Sequence, residues 1–235
     1  MISGVVSLTG PSLATRPRYA RATVAGSWRW VGDRALLRTV ADREIVDANR
    51  AMLALAHVIR ALDLDEIDDV VPGARSLLIV LRAGVEPSVT LTDALERDDL
   101  GDAEVPAARH DVPVRYGGED GPDLDALAGS SGVSVDDVIA LHTAPTYVVA
   151  FIGFSPGFPY LIGLPDELAR PRLATPRTRV PSGSVGIGGP YTGIYPSSTP
   201  GGWHLIGRTE LELFDAGRVP PARLLPGDQV RFIAR

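Results

Sequence analysis

The sequence predicts an α+β protein. A small α/β sandwich over residues 28–104 is followed by a strand-rich unit over 105–235, closed as a barrel or sandwich. Three observations carry this. Between Ala35 and Leu81 the chain runs strand, helix, strand, with an apolar stripe of helical period in the middle. Beyond Thr146, Gly and Pro punctuate a series of short apolar pieces, the pattern of many short strands joined by turns. The acidic stretch Asp98 to Glu104 separates the two patterns and reads as a linker.

Residues 1–27 carry Arg16, Arg18 and Arg21 and no acid, and are expected to form a tail outside the fold. Ala35–Val40 reads as a strand. Asp42 is placed to cap a helix, with Glu44 and Asp47 near its start, where the helix dipole favours acids. Ile45, Ala48, Met52, Leu55, Ile59 and Leu62 then recur at alternating threes and fours, so one helical face is apolar, and His57 falls off it into solvent. Ser76–Leu81 is a second strand and Thr90–Leu100 a second helix. Two short helical patterns, Leu124–Ala128 and Val135–Leu141, precede the strand Thr146–Phe154.

Composition narrows the chemistry. All 23 basic residues are Arg, so the lysine of a phosphate-binding loop, a Schiff-base lysine and a Ser-Lys dyad are all excluded. Cys is 0, which removes disulfides and thiol nucleophiles. A net charge of −6 argues against nucleic acid, and the longest apolar runs are far short of the ~20 residues of a membrane helix. The four histidines show no paired spacing, so no metal site is expected.

The chemistry-bearing stretch runs from Phe151 to Thr209, in the segments Phe151–Pro165, Ala174–Gly189 and Thr192–Thr209. Arg177 and Arg179 stand two apart, so in a strand they point the same way. A pair of guanidiniums on one face suits a carboxylate or phosphate, against the alternative of two solvated or ion-paired arginines. Gly153 and Gly157 belong either to a ligand-enclosing loop or to a tight structural one, with Phe151, Phe154 and Phe158 as core. His204, beside Trp203, is the best histidine candidate, whereas His142 reads as a helix cap. Ser182, Ser184 or Ser197 as a nucleophile with His204 is disfavoured, because no nucleophile-elbow pattern surrounds them. Tyr191 and Tyr195 either hydrogen-bond a ligand or pack. Phe158, Tyr160, Leu161 and Ile162 either pack internally or leave a patch that a partner covers. These residues describe a concave site for a small anion and stop short of a reaction.

Taken together, Gly153–Leu161, Thr175–Ile187 and Thr192–Thr209 resemble the family known as allophanate hydrolase subunit 1, the 5-oxoprolinase B subunit or the inhibitor of the sporulation histidine kinase. Val71–Ile79, Val114–Leu124 and Leu141–Tyr147 share the likeness, which runs from about Trp28 to Arg235. The resemblance implies that the second unit is a cyclophilin-like β-barrel. It also implies a cytoplasmic component of an ATP-dependent amide hydrolase that opens 5-oxoproline to glutamate. Such a component is expected to be inactive alone, to work with a second subunit of the family pair (allophanate hydrolase subunit 2, or the 5-oxoprolinase C type) and with a third, and to use Mg-ATP bound by the complex. Under that resemblance Arg177 and His204 are the catalytic candidates. Arg177, Arg179, Ser184, Tyr195, Gly153 and Gly157 are the substrate-binding ones, with no metal ligand in the chain. The alternatives are a regulator that inhibits a histidine kinase, or half of a biotin-dependent carboxyltransferase acting on a urea-like substrate.

Overall fold

The computed structural model describes residues 28–96 and 105–235. The expected tail at 1–27, the whole of the expected linker, 98–104, and the end of the expected second helix, 97–100, therefore lie outside the described residues.

Strands β1 (Trp28–Val31), β2 (Ala35–Thr39), β3 (Ile67–Pro72) and β4 (Ser76–Leu81) form one antiparallel sheet in the order β1-β2-β4-β3. Helix α1 (Ile45–Ala61) joins β2 to β3. Its stripe of Ala48, Met52, Leu55 and Ile59 is buried, and Leu36, Leu77, Ile79 and Leu81 of the sheet share a core with the last three. Helix α2 (Val89–Leu95) adds Leu91 and Leu95 to that core. It starts where the Ser88 hydroxyl accepts the Leu91 amide, one residue ahead of the expected Thr90.

Two expectations need correction. The position preceding α1 is Glu44, which makes no side-chain capping bond, and not Asp42. The approach to the helix is instead held by Arg75, whose guanidinium donates to the Arg43 carbonyl. Strands β1 and β3 were not expected from the sequence. Both are sheet edges, and β3 carries Asp68, Asp69 and Pro72 along with a register shift between Ile67 and Asp69. Edge strands tolerate charge, proline and bulges, so their sequences lose the strand signature.

Seven further strands close into a barrel. They are β5 (Arg109–Tyr116), β6 (Tyr147–Ile152), β7 (Pro159–Ile162), β9 (Ser184–Gly188), β10 (Tyr191–Ile194), β12 (His204–Arg208) and β13 (Gln229–Ala234). Their order is β10-β7-β6-β13-β5-β12-β9, with β9 pairing back to β10. Only β5 and β13 run parallel. Helices α3 (Leu124–Ser131) and α4 (Val135–Thr143) put Leu124, Leu127 and Val138 into the barrel core beside Val112, Val149, Val185, Ile206 and Phe232. A reciprocal cap between Ser134 and Asp137 opens α4. A separate two-stranded ribbon pairs β8 (Arg177–Val180) with β11 (Thr199–Gly201).

Asn49 of α1 bridges the sheet and the barrel. Its amide nitrogen donates to the Gly73 carbonyl and to the Ala150 carbonyl of β6, each at 3.1 Å. Ala150 lies in a register shift of the β6–β7 ladder, so its carbonyl is satisfied by a side chain rather than by a strand.

Candidate functional site

The sequence candidates gather along the segment 201–205, around Tyr195 and Trp203. Strand β9 runs up to this place with every residue buried. Gly188 has a packing role: a Cβ added there would stand 2.6 Å from the Trp203 indole, so glycine admits the ring. Phe158 packs edge-on to Tyr195 at 5.1 Å and to Trp203 at 5.3 Å. Tyr160 meets Trp203 at 5.5 Å and stacks on Phe151 at 4.3 Å. Tyr191 closes the aromatic face at 5.5 Å from Tyr160; burial pushes its phenol up from the ordinary value, and the Arg75 charge, in the turn between β3 and β4, works against that.

The loop of Gly153 and Gly157 supports this face from below. Gly153 N–H donates to the Phe158 carbonyl at 3.2 Å, and Phe158 N–H to the Ser155 carbonyl at 3.0 Å. Gly157 has φ 77°, and a Cβ there would meet Phe214 Cβ at 2.8 Å, so both backbone and space require glycine. Phe154 corrects an expectation. It does not join the core; with φ 66° its backbone is left-handed and its ring is 61% exposed. Phe158, Leu161 and Ile162, by contrast, are buried and Tyr160 is half-buried, so they pack internally and do not form an open patch.

Arg177 and Arg179 lie on the same strand but share no acceptor. The Arg177 guanidinium donates to Asp123 Oδ1 at 2.5 Å and to the Trp203 carbonyl at 3.3 Å. Asp123 Oδ2 accepts the Leu205 amide at 2.7 Å, so one carboxylate fixes both the arginine and the strand that carries His204. Arg179 is exposed and donates to the Ser198 hydroxyl at 3.1 Å. His204 donates Nε2–H to the Pro171 carbonyl at 2.9 Å, which leaves Nδ1 as the acceptor nitrogen. Arg172 sits over the Trp203 ring at 5.9 Å.

Ser184 and Tyr195 are enclosed, at 2% and 1% exposure. Burial pushes the Tyr195 phenol upward from its ordinary value, so it stays protonated, and the Trp203 backbone hydrogen-bonds to it. The Ser184 carbonyl receives the Tyr195 amide at 2.9 Å. Both residues brace the aromatic floor from behind. A hydroxyl so enclosed is not presented as a nucleophile. What stays partly accessible is the Arg177 guanidinium, the His204 imidazole and the edges of Phe151, Tyr160 and Tyr191, with Phe158, Tyr195 and Trp203 buried behind them. That set can hold a planar polar group and stabilise negative charge.

Sequence reasoning passed over Asp123 and Arg172. Asp123 sat inside a motif, Val114–Leu124, to which no role was attached; its contact with Arg177 spans 54 positions and has no local signal. It also misread His142, which caps nothing. His142 is fully buried in the barrel, where Tyr116 O–H donates to its Nδ1 at 2.7 Å and its Nε2–H donates to Thr192 Oγ1 at 3.0 Å. Thr192 O–H in turn donates to the Gly186 carbonyl at 3.1 Å, so the chain of bonds has one consistent direction. Burial drives the imidazole down to about 3, and it is neutral.

Comparison with known proteins places this geometry in a family. The chain is 43% identical over 208 residues to the 5-oxoprolinase B subunit of Escherichia coli O157:H7, a match that takes in 86% of this chain and 93% of that protein. It is 50% identical over 132 residues to the 5-oxoprolinase B subunit of Bacillus subtilis strain 168, covering 56% of this chain and 55% of that one. Among solved structures, TTHA0988 matches with a TM-score of 0.73 and 35% identity over 86% of this chain, which corresponds to only 40% of the longer chain. Residues 27–224 match the family described as carboxyltransferase domain, subdomain C and D. With both its fold and its signature segments accounted for, the chain belongs to this carboxyltransferase-domain family, the one that includes the 5-oxoprolinase B subunits.

Proposed function

We propose that the chain is one subunit of a heteromeric, ATP-dependent 5-oxoprolinase that opens the cyclic amide 5-oxoproline to glutamate. The observation that carries this is the 43% identity to an E. coli 5-oxoprolinase B subunit across 93% of that protein. On this reading the chain divides into an α/β sandwich at 28–104 and a cyclophilin-like barrel at 105–235. It works in the cytoplasm, is inactive alone and is completed by a second subunit of the same family pair. The same assembly includes a third polypeptide.

The site suits such a task in what it offers. The amide of 5-oxoproline is unstrained, and ATP, when bound, supplies activation of its oxygen by phosphorylation. The demand on the protein is then charge stabilisation and orientation rather than a nucleophile. Arg177, held by Asp123, and His204, held by the Pro171 carbonyl, are pre-set to meet developing charge at the rim. Arg179 extends toward the substrate carboxylate, with Tyr195, Ser184, Gly153 and Gly157 shaping the floor behind. The chain has no lysine-bearing phosphate loop, and among the described residues no three His, Asp or Glu side chains gather as a cation site. On this reading Mg-ATP is bound by the complex.

The decisive experiment is to purify the chain with its partner subunits and measure 5-oxoproline-dependent ATP hydrolysis. Turnover by the complete assembly, absent when this chain is omitted, supports the reading; no turnover by the complete assembly overturns it. The family description itself favours a second reading, transfer of a carboxyl group from biotin to a urea-like acceptor. Carboxylation that requires a biotin carrier would select it.

A further inference from the structure

We propose that Arg172 is a substrate-binding residue that anchors the carboxylate of the substrate beside Trp203. This rests on the reading of the chain as a 5-oxoprolinase subunit, whose substrate is a small ring acid with one negative charge.

Four guanidiniums are carried between residues 170 and 179, and three of them are engaged. Arg170 donates to the Ala169 carbonyl at 2.7 Å and to the Ser131 hydroxyl at 2.5 Å. Arg177 is neutralised by Asp123, and Arg179 donates to the Ser198 hydroxyl. Arg172 is exposed and has no hydrogen bond and no acidic partner among the described residues. Its contact is with the Trp203 ring, 5.9 Å below the guanidinium carbon. A cation over a ring face spends none of its N–H groups on an acceptor, so the donor fork remains available to a carboxylate. The charges of Arg172 and Arg177 both act on the Tyr195 phenol, so Arg172 belongs to the same cluster as the residues already placed in the site.

The backbone that carries Arg172 is pinned on both sides. The Arg170 carbonyl accepts the Gly189 amide at 2.7 Å, the Pro171 carbonyl accepts Nε2–H of His204 at 2.9 Å, and the Leu173 amide donates to the Gly202 carbonyl at 2.7 Å. A side chain presented from a fixed backbone has less freedom to lose on binding. The Trp203 ring also meets Tyr160 at 5.5 Å, and Phe151, Tyr160 and Tyr191 keep partly accessible edges. These edges suit the methylenes of a flat ring whose carboxylate is held by Arg172. One guanidinium without a counter-charge matches the single charge of a carboxylate. A triphosphate carries several charges, and Asp123 already neutralises the neighbouring Arg177.

The test uses the chain purified with its partner subunits. Isothermal titration calorimetry gives Kd for 5-oxoproline and for 2-pyrrolidinone, the same ring without its carboxylate, and ATP hydrolysis gives KM and kcat. Arg172→Gln should raise both Kd and KM for 5-oxoproline about tenfold, the effect of losing one charge-assisted hydrogen bond. Its kcat should fall by less than KM rises, because a carboxylate far from the reacting amide is held alike in ground and transition states. Arg172→Lys, which keeps the charge without the fork, should recover part of the loss. 2-Pyrrolidinone should bind parent and variant alike, and more weakly than 5-oxoproline binds the parent. Thermal melting of the variants should stay close to that of the parent, since the side chain is exposed. Binding of 5-oxoproline that Arg172→Gln weakens, in a parent assembly that turns nothing over, supports this assignment while overturning the proposed function. Absence of 5-oxoproline binding to the parent up to about 10 mM, a range that spans millimolar Kd, overturns the assignment. So does an unchanged affinity in Arg172→Gln, an equal loss for 2-pyrrolidinone, or a rise confined to the KM for ATP.

Discussion

Acidification should unfold this protein through His142 before general acid denaturation sets in. The ring is fully buried, neutral, and satisfied on both nitrogens by Tyr116 and Thr192, which leaves no acceptor for a second proton. Its ordinary value of 6.5 is lowered to about 3 in the folded state by burial. The unfolded chain therefore takes up a proton that the folded chain refuses. Stability from this group is complete above about pH 6.5 and declines as pH falls toward 3, by ~1.4 kcal/mol per unit. By about pH 4.5 the loss from this residue alone is roughly 3 kcal/mol, a large part of a typical folding free energy. Urea unfolding followed by tryptophan fluorescence at a series of pH values measures it. Carboxylates titrate in the lower part of this range too, so the informative quantity is the difference from His142→Gln, which can accept from Tyr116 and donate to Thr192 without titrating. The parent should lose about 3 kcal/mol more than the variant between about pH 7 and 4.5. Parallel curves for the two proteins would refute the reasoning.

Three further outcomes follow from the packing. Asp123→Asn removes the charge that holds Arg177 and should lower stability by about 2 kcal/mol in urea unfolding. Arg177→Ala in the same background should then cost much less than it does in the parent. Gly188→Ala places a methyl within 2.6 Å of the Trp203 indole, and should cost about 1–3 kcal/mol and shift the tryptophan emission as the ring is displaced. Phe154→Gly relieves a left-handed backbone at φ 66° and loses a ring that is mostly exposed; thermal melting should hold steady or rise, by up to about 1 kcal/mol in stability.

Much of the architecture is written locally. The α1 stripe, the strand at Ser76–Leu81, the two short helices before β6 and the strand-rich second half all appear where periodicity puts them, because each depends on contacts between near neighbours in sequence. The edge strands β1 and β3 did not, since an edge does not need the alternating burial that betrays a strand. For the candidate site, residue type was legible and role was not. That Arg177, His204, Ser184 and Tyr195 belong to one neighbourhood could be guessed from their dense Gly- and Pro-rich setting. Which of them face outward could not.

Composition and local pattern alone settle that this chain works without thiols, lysines or a phosphate loop, and that helices and sheet come first and short strands after. Folding in three dimensions adds the assignments that hang on long-range partners. Asp123 reaches Arg177 across 54 positions, Thr192 reaches His142 across 50, and Asp228 reaches His110 across 118. Pairing of this kind leaves no periodicity in the chain, because hydrogen bonds and burial depend on distance in space, and closing the barrel is what brings these groups within 3 Å or so of one another.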